Sequence, residues 1–261
     1  MNVLLIGDVI GKPGRQLLEM FLPSLIQEHN LDFIIANAVN FAHGFGVTPD
    51  TADQLYRTGV NVLTSGNHIW DKKEILEYIS KENRLLRPAN YPANVPGKGF
   101  AITESRSGQK IGVVNLQGRI FMPPCDDPFA IGMQIVERIR RETPIIFVDM
   151  HGEASSEKQA MGWYLDGKVS SVFGTHTHVP TADQRVLPAG TAYVTDIGMS
   201  GPYDSVIGND KDQIIQKFLD QMPTRFEVAK ENPILQAMLV SVNPENGHAT
   251  HIERITRKGE K

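Results

Sequence analysis

With 261 residues, 41% hydrophobic and 21% charged, the chain can bury a sizeable core in one large α/β domain or two small ones. A net charge of −4, from 26 basic and 30 acidic residues, leaves no basic stripe for a long nucleic-acid backbone. No stretch approaches the roughly 20 apolar residues that span a bilayer, and Cys125, the sole cysteine, excludes an intrachain disulfide or a multi-thiolate metal site. The first eight residues, Met1-Asn2-Val3-Leu4-Leu5-Ile6-Gly7-Asp8, read as a β-strand rather than a signal peptide, and a cytoplasmic protein is expected.

In chain order, residues 3–6 form the first predicted strand, followed by a helix over 13–28. In that helix Leu17, Leu18, Phe21, Leu22, Leu25 and Ile26 recur at helical spacing, and Pro23 is expected to kink or shorten it. Further β-rich runs fall at 33–36, 61–64, 145–149 and 169–173, and they read as strands of a sheet covered on both faces. Helices are expected at 71–80, 128–141 and 155–164. A hairpin over 100–116 turns at Ser107-Gly108-Gln109, and a second joins 185–187 to 191–195 through Pro188-Ala189-Gly190. A helix near 212–221 and strands at 225–228, 236–242 and 249–255 complete the chain. The pattern predicts an α/β sandwich of mixed sheets, parallel early and antiparallel late. No Pro/Gly/Ser-rich linker separates two halves, so residues 1–261 are read as one domain.

Five of the apolar runs end in a residue able to bind metal: Asp8, Asn40, Asn67-His68, His151 and His176-Thr177-His178. Open α/β sheets collect ligands beyond the carboxyl ends of their strands, so these side chains can converge. Carboxylate oxygen, amide oxygen and imidazole nitrogen are the mixture that hard and borderline divalent cations take. Each residue alone is an ordinary turn, capping or loop residue. Their coincidence at strand ends is what points to a metal site.

The order of these motifs resembles the calcineurin-like metallophosphoesterases. The longer stretches Gly7-Asp8-Val9-Ile10-Gly11-Lys12-Pro13-Gly14-Arg15, Gly66-Asn67-His68-Ile69-Trp70-Asp71, Asn115-Leu116-Gln117-Gly118-Arg119 and Thr195-Asp196-Ile197-Gly198-Met199-Ser200-Gly201-Pro202 resemble the bacterial YmdB-type cyclic-nucleotide phosphodiesterases over nearly the whole chain. The resemblance implies a metallophosphoesterase-type β-sandwich of two mixed sheets flanked by helices. It implies two metal ions, iron or manganese, with Asp8, Asn40 and His178 on one and Asn67, His151 and His176 on the other. It further implies His68 as proton donor to the leaving oxygen, small phosphoesters of the 2′,3′-cyclic AMP type as substrates, and self-association of the chain. Two adjacent cations can activate a water and clamp the attacking and leaving oxygens, and a histidine beside them can protonate the leaving alkoxide.

One position departs from the family. Where the family carries a glutamate before the asparagine, bridging both metals, this chain has Val39 in Ala38-Val39-Asn40. Two dications about 3.7 Å apart repel by roughly 18 kcal/mol even at an effective dielectric near 20, so losing a bridging anion is expected to weaken occupancy and turnover. Hydroxide, phosphate or Glu153 could supply the missing charge. Alternatively the chain is a catalytically weak nucleotide-binding or regulatory member, or Asn37 rather than Asn40 is the ligand. Substrate contacts are open: Arg119 and His43 could reach phosphate or base and Tyr203 could line the pocket, yet each could equally be an ordinary loop residue.

Other classes fit poorly. Gly7, Gly11 and Gly14 lack the dinucleotide spacing, and Lys12 precedes proline rather than Ser or Thr. The run Gly198-Met199-Ser200-Gly201 is not a nucleophile elbow. Cys125 sits between Pro123-Pro124 and Asp126-Asp127, which do not favour a thiolate.

Overall fold

The computed structural model describes residues 1–42 and 44–259, so His43, considered above as a substrate contact, lies outside the described residues. The elements are β1 (Asn2–Ile6), α1 (Gly11–Glu28), β2 (Leu31–Asn37), α2 (Pro49–Arg57), β3 (Val62–Thr64), α3 (Ile75–Lys81), β4 (Phe100–Glu104), β5 (Lys110–Gln117) and α4 (Pro128–Ile139). They continue with β6 (Ile146–His151), α5 (Ser155–Tyr164), β7 (Ser171–Thr175), β8 (Arg185–Val186), β9 (Ala192–Val194), β10 (Gly201–Pro202), α6 (Lys211–Asp220), β11 (Pro233–Val242) and β12 (Ala249–Lys258). No helix among the described residues is long and apolar enough to cross a membrane.

These strands form two mixed sheets, as expected. In the first, β1, β2 and β3 are parallel, while β11 pairs antiparallel with β1, β10 and β12. In the second, β5, β6, β7 and β9 are parallel, with β4 and β8 antiparallel at the two edges.

Alternation of side chains along each strand builds the layers. Val3 and Leu5, Phe33 and Ile35, and Val62 of the first sheet meet Ile111, Val113, Phe147, Phe173 and Val194 of the second in a buried inter-sheet core. Their neighbours point outward. Leu4, Ile6, Ile34 and Ala36 pack under α1, α2 and α3, and Val114, Ile146, Val148 and Val172 under α4 and α5. Sheets covered on both faces explain why these runs read as continuously apolar.

Continuing the alternation to the carboxyl ends decides where the chemistry sits. Asn37, Thr64, Asn115, Asp149 and Thr175 have the parity of the inter-sheet residues and are all fully buried. The layer between the sheets therefore changes from apolar to polar at one end, directly beneath the strand-end loops.

Several elements differ from expectation. Helix α2 was not predicted, although Thr48 caps it reciprocally with Thr51 and Pro49 opens it. Helix α1 runs unbroken through Pro23, because Leu17, Leu18, Leu22 and Leu25 bury its inner face. Helix α3 begins at Ile75 rather than 71, since the residues before it form turns closed by Ile75 N–H on Lys72 O and Leu76 N–H on Lys73 O. No strand forms at 225–228: Val228 makes a single bridge to Asn209, and Phe226 and Val228 instead line a cavity against α1.

Candidate metal centre

Asp8 follows β1 through Gly7, where a Cβ would collide with the carbonyl oxygen of Gly198, so only glycine lets the chain pass. The Asp8 carboxylate is fully buried, and its Oδ2 accepts from the backbone N–H of His176 at 3.0 Å. Its Oδ1 has no hydrogen-bond partner and lies 3.7 Å from His178 Nε2. Burial pushes this carboxyl up, opposed chiefly by His178. A buried acceptor left unpaired is costly, which marks the Asp8 oxygen as built for something other than a protein donor.

The imidazoles carry the same signature. His178 Nδ1 lies 2.8 Å from the carbonyl of Ile207, an acceptor, so Nδ1 bears the proton and Nε2 presents its lone pair to Asp8. His151 Nδ1 lies 2.9 Å from Thr175 Oγ1, whose own proton is given to Asp149 at 2.7 Å. The bare Nε2 of His151 then faces Asn67 Oδ1 at 3.0 Å and His176 Nδ1 at 3.2 Å. With His176 Nε2 donating to Glu153 at 3.2 Å, its Nδ1 is also bare. Lone pairs and oxygens thus point at each other in two clusters, an arrangement that suits cations between them. Asn40 Nδ2 lies 3.0 Å from His178 Nε2, and a half-turn of that amide presents its oxygen to the same point. Among the described residues no three His, Cys, Asp or Glu side chains form a metal cage unaided; the amides of Asn40 and Asn67 complete the two clusters.

Burial, with the neighbouring histidines, holds His151 well below the usual histidine range and His176 down to about 4. Both rings are therefore neutral at pH 7 and keep a nitrogen free for metal. Gly66 is required here too, because a Cβ would run into the His151 ring. His68 stands at the edge of the cluster, with Nδ1 held by Asp71 at 2.7 Å and Nε2 3.2 Å from Asn67 Nδ2. Phe45 packs edge-on against its ring.

A cavity of about 320 Å³ joins these groups: Val39, Asn40, Asn67, His68, His151, Glu153, His176 and His178 all line it. All six expected ligands except Asp8 line the cavity, and the Asp8 carboxylate lies behind it, against His176 and His178. Val39 faces the same space, as a bridging residue would. Asn37 does not: it is buried against Asp149, Ser65 and Thr175, so the geometry favours Asn40 over Asn37. Glu153 is half-exposed beside His176. Arg119 pairs loosely with Asp127 and lines a separate hollow with Ile120 and Phe129, while the Tyr203 hydroxyl donates to Met199 O. A larger cavity of about 860 Å³ lies along α1 and residues 225–230 and contains none of these donors. Burial pushes the Cys125 thiol up, in keeping with its dismissal as a nucleophile.

The sequence reading missed the residues that hold the cluster in place. His176 and His178 both adopt left-handed backbone, at φ 96° and 65°, a conformation costing about 1–3 kcal/mol each outside glycine. Thr177 between them is tethered to Asp196 Oδ2 by its backbone N–H and by its hydroxyl at 2.7 Å, and Lys158 Nζ of α5 reaches the same oxygen at 2.8 Å. This ion pair is almost wholly buried. Lys158→Met leaves Asp196 without a counter-charge and is expected to cost about 3–5 kcal/mol in denaturant unfolding. A loss below about 1 kcal/mol would show that the pair does not hold the loop. A lysine on the buried face of α5 was the available signal.

Two mixed sheets between helix layers, with oxygen and imidazole donors gathered at the strand ends, are the architecture of metallophosphoesterases. The chain belongs to the YmdB-like protein family, whose pattern matches residues 4–255. It is 46% identical over 255 residues to a 2′,3′-cyclic-nucleotide 2′-phosphodiesterase of Bacillus subtilis (strain 168), covering 98% of this chain and 96% of that one. A hypothetical protein from Thermus thermophilus superposes with a TM-score of 0.93 at 39% identity, each chain fully covered. A novel phosphatase of Mycoplasma pneumoniae superposes with a TM-score of 0.92 at 34% identity, over 99% of this chain and 93% of that one.

Proposed function

We propose that the chain is a metal-dependent phosphodiesterase hydrolysing small phosphoesters of the 2′,3′-cyclic-nucleotide type. The observation that carries this reading is the pair of facing acceptors: bare Nε2 of His178 against Asp8 Oδ1, and bare Nε2 of His151 against Asn67 Oδ1. Asp8, Asn40 and His178 would hold one cation, and Asn67, His151 and His176 the second, with iron or manganese suited to the mixed oxygen and nitrogen donors. Cations bound there supply a lowered water pKa and charge stabilisation at the phosphoryl oxygens.

The chain's own groups do the rest. Asp71 holds Nδ1 of His68 and turns Nε2 to the cavity, from which the doubly protonated ring would pass a proton to the leaving oxygen. Glu153 orients His176, and Thr175 orients His151. The cavity, at the small end of the range for ligand sites, suits a small ester rather than a polymer. The Bacillus subtilis relative, a 2′,3′-cyclic-nucleotide 2′-phosphodiesterase, supports the substrate class.

Val39 favours a second reading, a weak hydrolase that mainly binds nucleotide, because its buried isopropyl group brings no charge to the cavity between the clusters. Turnover of 2′,3′-cyclic AMP with added manganese separates the two. The enzyme reading expects hydrolysis that chelation abolishes and manganese restores; binding without hydrolysis would select the second reading.

A further inference from the structure

We propose that Thr175 and Asp149 are positioning residues, a buried hydroxyl–carboxylate pair that sets the tautomer of His151 and ties the two sheets together beneath the donor clusters. Neither touches the cavity. Asp149 lies on β6 two residues before His151, and Thr175 ends the neighbouring strand β7. Both belong to the inward parity of their strands, and both are fully buried.

The geometry is a chain with one sense. The Thr175 hydroxyl donates to Asp149 Oδ1 at 2.7 Å. Thr175 Oγ1, its proton spent, accepts from His151 Nδ1–H at 2.9 Å. The proton on Nδ1 leaves Nε2 bare, aimed at Asn67 Oδ1. The opposite tautomer would put N–H on Nε2, where it would satisfy Asn67 and close the site to metal. Carboxylate-backed histidines of this kind raise ligand basicity and hold the ring's orientation.

The other carboxylate oxygen reaches across to the first sheet. Asp149 Oδ2 accepts from Thr64 Oγ1 at the end of β3 and from Asn37 Nδ2 at the end of β2, the latter at 2.9 Å. Asn37 also accepts the backbone N–H of Val39 at 3.0 Å, and Thr64 lies three residues before Asn67. One carboxylate is thus bonded to the ends of the strands that lead to Asn40, Asn67 and His176, and its own strand ends in His151. An apolar core would pack the sheets equally well but would neither fix their register at this end nor choose a tautomer.

The affinity part of the test rests on the metal reading; the tautomer part does not. In nitrogen-15 spectra of the full chain, histidine-labelled and freed of metal by chelation, wild-type His151 is expected to carry its proton on Nδ1. Thr175→Val, near-isosteric without the hydroxyl, is expected to move it toward Nε2 and to weaken manganese binding by about 10–100-fold in calorimetric titration. Thr175→Ser is expected to restore both. Asp149→Asn, which gives Thr175 a weaker acceptor, is expected to shift the tautomer partway, and no shift there would remove the carboxylate from the proposal. Should Thr175→Val fail to fold, the wild-type spectrum still decides: a proton on Nε2 overturns the inference, as does an unchanged tautomer in folded Thr175→Val. A wild-type chain that binds no manganese while its spectra follow this pattern would refute the metal reading and leave the positioning role standing.

Discussion

Val39→Glu is expected to raise turnover of 2′,3′-cyclic AMP by about 100-fold, equivalent to roughly 2.7 kcal/mol of transition-state stabilisation. The residue is fully buried and faces the cavity between the two donor clusters, where it contributes no charge. A carboxylate there would lie between the two proposed cation positions and offset the repulsion of cations bound at both. The same substitution has a cost without metal. A second buried acid near Asp8, whose carboxyl burial already pushes up, would destabilise the metal-free chain. Manganese should therefore raise the melting temperature of Val39→Glu by more than it raises that of wild type. Equal rates and equal metal-induced stabilisation in the two chains would mean that position 39 does not bridge.

The second large effect concerns His68. His68→Ala is expected to lower kcat by about 10²–10⁴-fold, the range for losing a positioned general acid, with metal content unchanged. His68 stands outside both clusters, held by Asp71 and packed by Phe45, so its removal leaves the donors of Asn67 and His151 facing each other. A phosphodiester with an acidic leaving group such as p-nitrophenol should lose less activity in the variant, since it needs less help from a proton donor. Loss of metal together with activity would instead give His68 a place in holding Asn67.

Much of this was legible in the sequence, for a physical reason. Strands buried on both faces read as apolar runs, and each run is followed within a few residues by a donor that the fold brings to the strand-end cavity, as at Asn40, Asn67 and His151. Where the rule failed, periodicity was the wrong guide. Asp149 lies within β6 and Thr175 ends β7, and only their shared inward parity marks them as a buried polar layer; one strand alone cannot reveal the partners of Asp149 on β2, β3 and β7. Lys158 looks like a surface lysine until α5 turns it inward to Asp196. The missing strand at 225–228 has β-like residues but no neighbouring edge to pair with beyond Asn209. Helix α2 opens on Thr48-Pro49, a capping residue followed by proline, but its buried positions are only Ala52 and Leu55, too few to make a periodic apolar stripe.

The convergence of Asp8, His178, Asn67, His151 and His176 on cations is tested most directly by anomalous diffraction from crystals grown with manganese. One peak within coordination distance of Asp8 and His178 is expected, with a second, weaker in wild type than in Val39→Glu, beside Asn67, His151 and His176. A clean map in which these five side chains bond only to one another and to water would contradict the account.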